Sequence, residues 1–221
     1  MDSASLWGSA HILLFAVWLA IELAILAVTA RIKDTGQTFD ARAARVARAN
    51  ALHVVARLCF ALILPTGVEL TAAINVYPLT PGLRTASWII GGVWLVIILI
   101  GTSRRGGPLS ANLRIVELVF QAFLGLSLVA YGLKSLATGA PIDDPWFAAK
   151  LFLFGVLFWS SIAADVGFRP FYAPFLETAQ EGATPEREEA IAAAVNHALA
   201  ATTASAVLIV TIAFFGYFKP F

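Results

Sequence analysis

Sulfur is nearly absent from this chain: its 221 residues include one cysteine, Cys59, and one methionine, Met1. An internal disulfide is therefore impossible, and so is an iron–sulfur cluster held by the chain's own thiolates. A copper(I) path lined with thiolates and thioethers is equally excluded. Charge is scarce as well, at 13% of residues, where a soluble domain carries about a quarter. The opening MDSASLWGSAHILLF has no lysine or arginine ahead of its apolar run. It lacks the basic start of a secretory signal, so the first segment is expected to persist as a helix. There is no internal repeat, no low-complexity tract and no sign of a soluble domain, and no nucleic-acid partner is expected.

What the chain has is hydrophobicity, 59% of residues with a mean hydropathy of +0.81, arranged in long blocks. A membrane-crossing helix needs about 20 mostly apolar residues. Six stretches meet that length, roughly Leu6–Ala30, Ala51–Ile74, Ala86–Thr102, Leu113–Leu133, Trp146–Phe168 and Val195–Tyr217. The third is the shortest and carries Gly91-Gly92, which lowers its helix propensity. The expected fold is an all-α, polytopic transmembrane bundle of about six helices in a single membrane domain, residues 1–221.

The connections separate by charge. Loops one, three and five hold Arg31, Lys33, Arg42, Arg45, Arg48, Arg104, Arg105, Arg114, Arg169 and Arg187; loops two and four and the C-terminal tail hold Arg84, Lys134 and Lys219. Ten basic residues against three place the odd loops in the cytoplasm and both termini on the non-cytoplasmic side. The expected location is a cell membrane, specifically a bacterial inner membrane. Turn formers mark the outer loops, VYPLTPG and TGAPIDDP. In ATPEREEA, Thr184 reads as an N-cap with Pro185 in the first turn, so the last helix begins in water.

Ionisable residues at bilayer depth are costly, and they are paired or functional. They fall into two layers. Near the outer face lie His11, Glu69 and Lys150; toward the cytoplasmic side lie Glu22, His53, Arg57, Glu117, Asp165 and His197. At 3.6 residues per turn, His11, Trp18 and Glu22 share a stripe of the first helix, and Lys150, Ser161 and Asp165 a stripe of the fifth. His53 and Arg57 are i, i+4 neighbours, as are Glu117 and Gln121. A bundle with a polar interior follows, in which Asp165 or Glu117 neutralises Arg57; Glu69 is left without an assigned partner. His197 shares a face with Ala201, Ala204 and Ser205, small residues that permit close approach of a flat ring or of another helix. Histidine is the commonest metal and haem ligand, but structural ion pairing accounts for the charged layer as well.

LWGSAHILLFAVWLAIELAILAVTARI resembles the opening helix of small membrane haem proteins, the HemJ-type protoporphyrinogen oxidases and the related CopD-type membrane proteins. The match rests on His11, Trp18 and Arg31. VARANALHVVARLCFALILPTGVEL is similar to their second helix, with Pro65 and Gly67 as its late Pro/Gly step. PWFAAKLFLFGVLFW resembles their tryptophan-then-lysine entry into a later helix, with Lys150 in the matching place. The resemblance covers about three helices. It departs from the four-helix HemJ type in having six, and in His53 and His197, which have no place on the pattern. By resemblance, His11 and Lys150 are the candidate axial pair of a b-type haem, with His53 and His197, and Arg57 nearby, as the alternative. The implied function is electron transfer or porphyrin/quinol redox chemistry by a membrane haem oxidoreductase, with haem b and its iron as cofactor.

Two other classes stand beside it. One is a small proton-coupled transporter with Glu22, Arg57, Glu117 and Asp165 as the relay. The other is a structural or assembly subunit of a larger membrane complex, in which those charges only pair. The lipid bilayer is the expected partner in every case, joined by quinol or porphyrin in the first, and a homo-oligomer is compatible with all three. The charge asymmetry has its own test. A cysteine replacing Arg45 should resist an impermeant thiol reagent in intact cells, whereas one beside Pro78 should react; the opposite pattern would invert the orientation.

Overall fold

A computed structural model describes residues 2–103 and 108–220. Arg104 and Arg105, two of the ten basic residues behind the orientation, lie outside the described residues. The described chain is helical throughout and contains no strand: α1 (Ser3–Ala30), α2 (Phe39–Ala73), α3 (Pro81–Ser103), α4 (Pro108–Thr138), α5 (Pro145–Phe168), a 3-10 turn (Arg169–Phe171), α6 (Tyr172–Glu181) and α7 (Pro185–Phe218). Six of these, α1 to α5 and α7, are long and apolar enough to cross a membrane, with α5 running on through the turn into α6.

The helices begin where their caps dictate. Asp2 accepts from Ser5 N–H, Thr38 from Ala41 N–H and Thr184 from Arg187 N–H, each satisfying a donor that the first turn leaves free. The Thr38 cap starts α2 twelve residues ahead of its apolar stretch, so α2 is 35 residues long, about 52 Å at 1.5 Å per residue. α7, at 34 residues, likewise outruns a hydrocarbon core of about 30 Å.

Short connections make successive helices neighbours. α1 packs on α2, α2 on α3, α3 on α4, α4 on α5 and α5 on α7, and α7 returns to α1, closing a ring. The exposure pattern turns a soluble protein inside out. On α4, Phe123 is 71% and Val119 64% exposed, while Glu117 and Gln121 are completely buried. Only a lipid surroundings makes that distribution favourable, because water would expel the first pair and accept the second.

The ring interior divides into two levels. Toward the termini it is filled by aromatic rings: Phe60 lies 4.8 Å from Trp18, 5.2 Å from Trp94 and 4.4 Å from Phe158, centre to centre. Beyond the opposite end, here called the basic face after the Arg31–Arg48 segment, Phe39, Phe171 and Phe175 stack around Ile32, Ile191 and Val195. Arg42 clamps this cap, donating to the Ile32 carbonyl at 2.7 Å and to both Glu188 oxygens at 2.7 and 2.8 Å. The fifth loop is therefore more than a connection: α6 and the 3-10 turn lay their phenylalanines over the bundle end.

α4 and α5 make the tightest contact. A Cβ at Gly132 would stand 2.6 Å from Phe152 N, and one at Gly155 would stand 2.7 Å from Gly125 O. Such backbone-to-backbone approach leaves no space for a Cβ at either glycine. Gly92, by contrast, faces open space. Gly155→Val and Gly132→Val should each destabilise the protein in detergent by about 1–3 kcal/mol, read as a lowered Tm, while Gly92→Ala should leave Tm unchanged or slightly raised. Equal effects at all three positions would refute the close packing of α4 and α5.

Candidate functional site

Glu117 sits at the centre of the ring with no exposure at all. An ionised carboxylate there requires charged partners and several donors. It has both. Arg57 of α2 grips it with two nitrogens, Nε at 2.9 Å and Nη2 closer still. Arg114, one turn earlier on α4, donates at 2.7 Å; Trp94 Nε1 of α3 and Gln121 Nε2 donate at 3.1 and 3.3 Å. Arg114 also reaches Asp165 of α5 at 2.7 and 3.1 Å, and Arg169 joins Asp165 at 3.3 Å. One connected network thus spans α2, α3, α4 and α5.

Of the two carboxylates expected for Arg57, Glu117 is the partner and Asp165 belongs to Arg114. Sequence reasoning placed Arg114 and Arg169 in loops and missed their part in the site. The i, i+3 spacing of Arg114 and Glu117 is the signal for the first. Nothing in the spacing marks Trp94.

Beside the network lies a cavity of about 360 Å³ on the basic-face half of the ring, with all six spanning helices in its wall. Glu22, His53, Arg57, Arg114, Glu117, Asp165 and Arg169 are its ionisable lining together with Tyr172; Trp18, Phe60, Leu157 and Phe168 are among its apolar lining. Its volume falls in the range of small-molecule sites, about 300–1,000 Å³. Two of the ionisable groups stand apart from the ion pairs. Glu22 is 9% exposed, and among the described residues its carboxyl has one hydrogen bond, from Trp18 Nε1 at 3.1 Å. His53 makes no hydrogen bond among the described residues and lies within electrostatic range of Arg114, Asp165 and Arg57.

The remaining candidates lie elsewhere. His197 is exposed and lines no part of the cavity, because α7 turns Ala198, Thr202 and Ser205 inward; its Cβ rests near Gly167 of α5. The alternative pair His53 and His197 is therefore not brought together around the cavity. In the other layer, His11 Nδ1 lies 3.2 Å from Thr66 Oγ1. Pro65 removes a backbone donor inside α2, and the Thr66 hydroxyl bonds the Leu62 and Ile63 carbonyls at 2.9 and 3.2 Å. His11 and Lys150 are close enough to interact electrostatically, so α1 and α5 do bring the first pair into one neighbourhood. Glu69, left open from sequence, is held by Arg84 at 2.5 and 3.1 Å and by Trp88 Nε1 at 3.1 Å.

Among the described residues, no three histidine, cysteine, aspartate or glutamate side chains gather as a metal-ion site. No family model, curated protein or solved structure matches this chain.

The network gives a direct test. Arg57→Ala removes one of the two guanidiniums that hold the buried Glu117 carboxylate and should cost about 1.5–3 kcal/mol. Removing Glu117 as well should recover part of that loss, with a coupling energy of about 0.5–3 kcal/mol in a double-mutant cycle. The same cycle between Arg57 and Asp165 should give much the smaller value. Additive losses for Arg57 and Glu117 would contradict their pairing.

Proposed function

We propose that the chain is a proton-coupled carrier of a small molecule, with the basic-face cavity as its binding site and Glu22 and His53 as the groups that exchange protons. One observation carries this reading. Among the described residues, every other buried charge around the cavity is committed to an ion pair, while Glu22 has an indole donor and no cation. Such a carboxyl can take up or release a proton without breaking a salt bridge, and intramembrane Asp, Glu and His residues of that kind serve as proton relays. The cavity opens within one half of the ring, and the Trp18–Phe60–Trp94–Phe158 block fills the other half. A void on one side of a packed barrier is the form that one state of an alternating-access cycle takes.

A haem protein is the second reading, and it too has an observation in its favour. With the Thr66 hydroxyl proton directed at a backbone carbonyl, its oxygen accepts from His11 Nδ1–H. That leaves the lone pair on Nε2, the arrangement of a metal-ligating histidine held by a second shell. A neutral Lys150 amine would be the opposite ligand, and the haem would supply one-electron chemistry. The packing fits less well than the donors. A Cβ at Gly67 would lie 3.0 Å from His11 Cε1, and one at Gly216 would lie 2.9 Å from Lys150 Nζ. Both side chains pack close to neighbouring glycines and neither lines the cavity, so a macrocycle between them would need the two side chains to move.

The carrier reading is tested in liposomes holding purified protein and a lumenal pH dye. A transported solute added outside should move protons, and Glu22→Gln, which keeps an acceptor for Trp18, should abolish the proton movement while leaving the fold intact. Proton movement equal in the variant would refute the role of Glu22. A Soret band that disappears on His11→Ala would instead move the haem reading ahead.

A further inference from the structure

The cavity's charges do not balance. Among its described lining residues stand three guanidiniums, Arg57, Arg114 and Arg169, against two ion-paired carboxylates, Glu117 and Asp165. Glu22 alone decides the total. Ionised, it makes the wall neutral; protonated, it leaves one positive charge in excess. The facing groups leave that balance unaltered in kind. α1 contributes Trp18 and Thr29, α2 Asn50 and His53 beside Arg57, α4 Ser110 beside Arg114 and Glu117, α5 Ser161 beside Asp165, the segment after it Tyr172 beside Arg169, and α7 Thr202 and Ser205. His53, an imidazole among the described lining residues, is neutral in this balance.

The excess has donors to offer. Arg57 uses Nε and Nη2 on Glu117, and its Nη1 has no acceptor among the described residues. Arg169 makes a single bond to Asp165 and is half exposed at the rim. Elsewhere the lining is apolar and aromatic, with Trp18, Phe60, Ile97, Leu113, Leu157 and Phe168. Thr29, a buried lining residue, has a hydroxyl with no hydrogen-bond partner among the described residues, which a buried polar group of a closed core rarely lacks.

Resting on the carrier reading, we propose that the substrate is an amphipathic organic monocarboxylate, whose carboxylate is met by Arg57 and Arg169, whose apolar body lies against Trp18 and Phe60, and whose binding goes with a proton on Glu22. A guanidinium suits a carboxylate because its planar fork matches the two oxygens. The bookkeeping of charge then closes: one anion and one proton enter together, and the loaded cavity is neutral. A neutral loaded state is also the form that crosses a low-dielectric barrier at least cost.

Thermal unfolding of the full chain in detergent tests this with 4-phenylbutyrate as the probe and its amide and alcohol as neutral controls. At tenfold over its dissociation constant the acid should raise Tm by about 3–6 °C, and the amide and alcohol should not. Arg169→Gln, at a half-exposed position, should weaken the effect at least about tenfold in concentration. In the parent the acid should bind more weakly as pH rises, because ionising Glu22 removes the excess positive charge. In Glu22→Gln binding should persist and lose that pH dependence. Equal shifts from acid, amide and alcohol would overturn the monocarboxylate, as would an unchanged response in Arg169→Gln or an unchanged pH dependence in Glu22→Gln. Proton movement in liposomes with some other solute, alongside no shift from the acid, would defeat this inference and leave the carrier reading standing.

Discussion

A carboxylate buried without exposure at the centre of a membrane bundle constrains everything around it. Glu117 is tolerable only because α2 brings Arg57, α4 brings Arg114 and Gln121, and α3 brings an indole N–H. Each donor sets the rotation of its helix, and Arg114 passes the constraint on to α5 through Asp165. Lipid offers no hydrophobic drive to bring spanning helices together. A polar knot of this kind, together with the glycine seam between α4 and α5, supplies the specificity that water supplies to a soluble core. It also fixes where space is left over, since a ring centred on one acid network and one aromatic block packs unevenly along its axis.

That unevenness is what makes chemistry available. The aromatic level is filled; the level of the ion pairs is roomy and holds Glu22 and His53, which have no salt bridge among the described residues. A titratable group locked in an ion pair resists proton exchange, because losing the pair costs as much as the pair contributes. Glu22, bonded to an indole, is under no such lock. The His11–Lys150 neighbourhood has a different character, lying outside the cavity, which is why the two layers lead to different functional readings.

Much of the architecture is legible in the sequence. Six apolar blocks, the Thr184–Pro185 start of the last helix and the i, i+4 relation of Glu117 to Gln121 follow from period and capping alone. So does the confinement of polar residues to the ring interior. Helix ends were harder, because α2 and α4 continue past their apolar stretches, and hydropathy is blind to a helix that leaves the membrane. The site was half legible. Glu22, His53, Arg57, Glu117 and Asp165 stand out as charges at depth and do meet in one cavity. Arg114 and Arg169 do not stand out, since a basic residue at a span's edge looks like a loop residue until its partner's direction is known. His197 lies about one residue away from the inward line of Ala198, Thr202 and Ser205, and that is the resolution at which helical phase, read from sequence, fails.

The two longest helices have a mechanical consequence. α2 and α7 stand proud of the bilayer as stiff rods, and the Arg42–Glu188 clamp ties one to the other near their tips. Each rod reaches back inside to the cavity wall, α2 through His53 and Arg57 and α7 through Thr202 and Ser205. The clamp itself is closed off, with Arg42 4% exposed beneath the phenylalanine cap, so it joins the two helices that wall the cavity into one frame at the basic face.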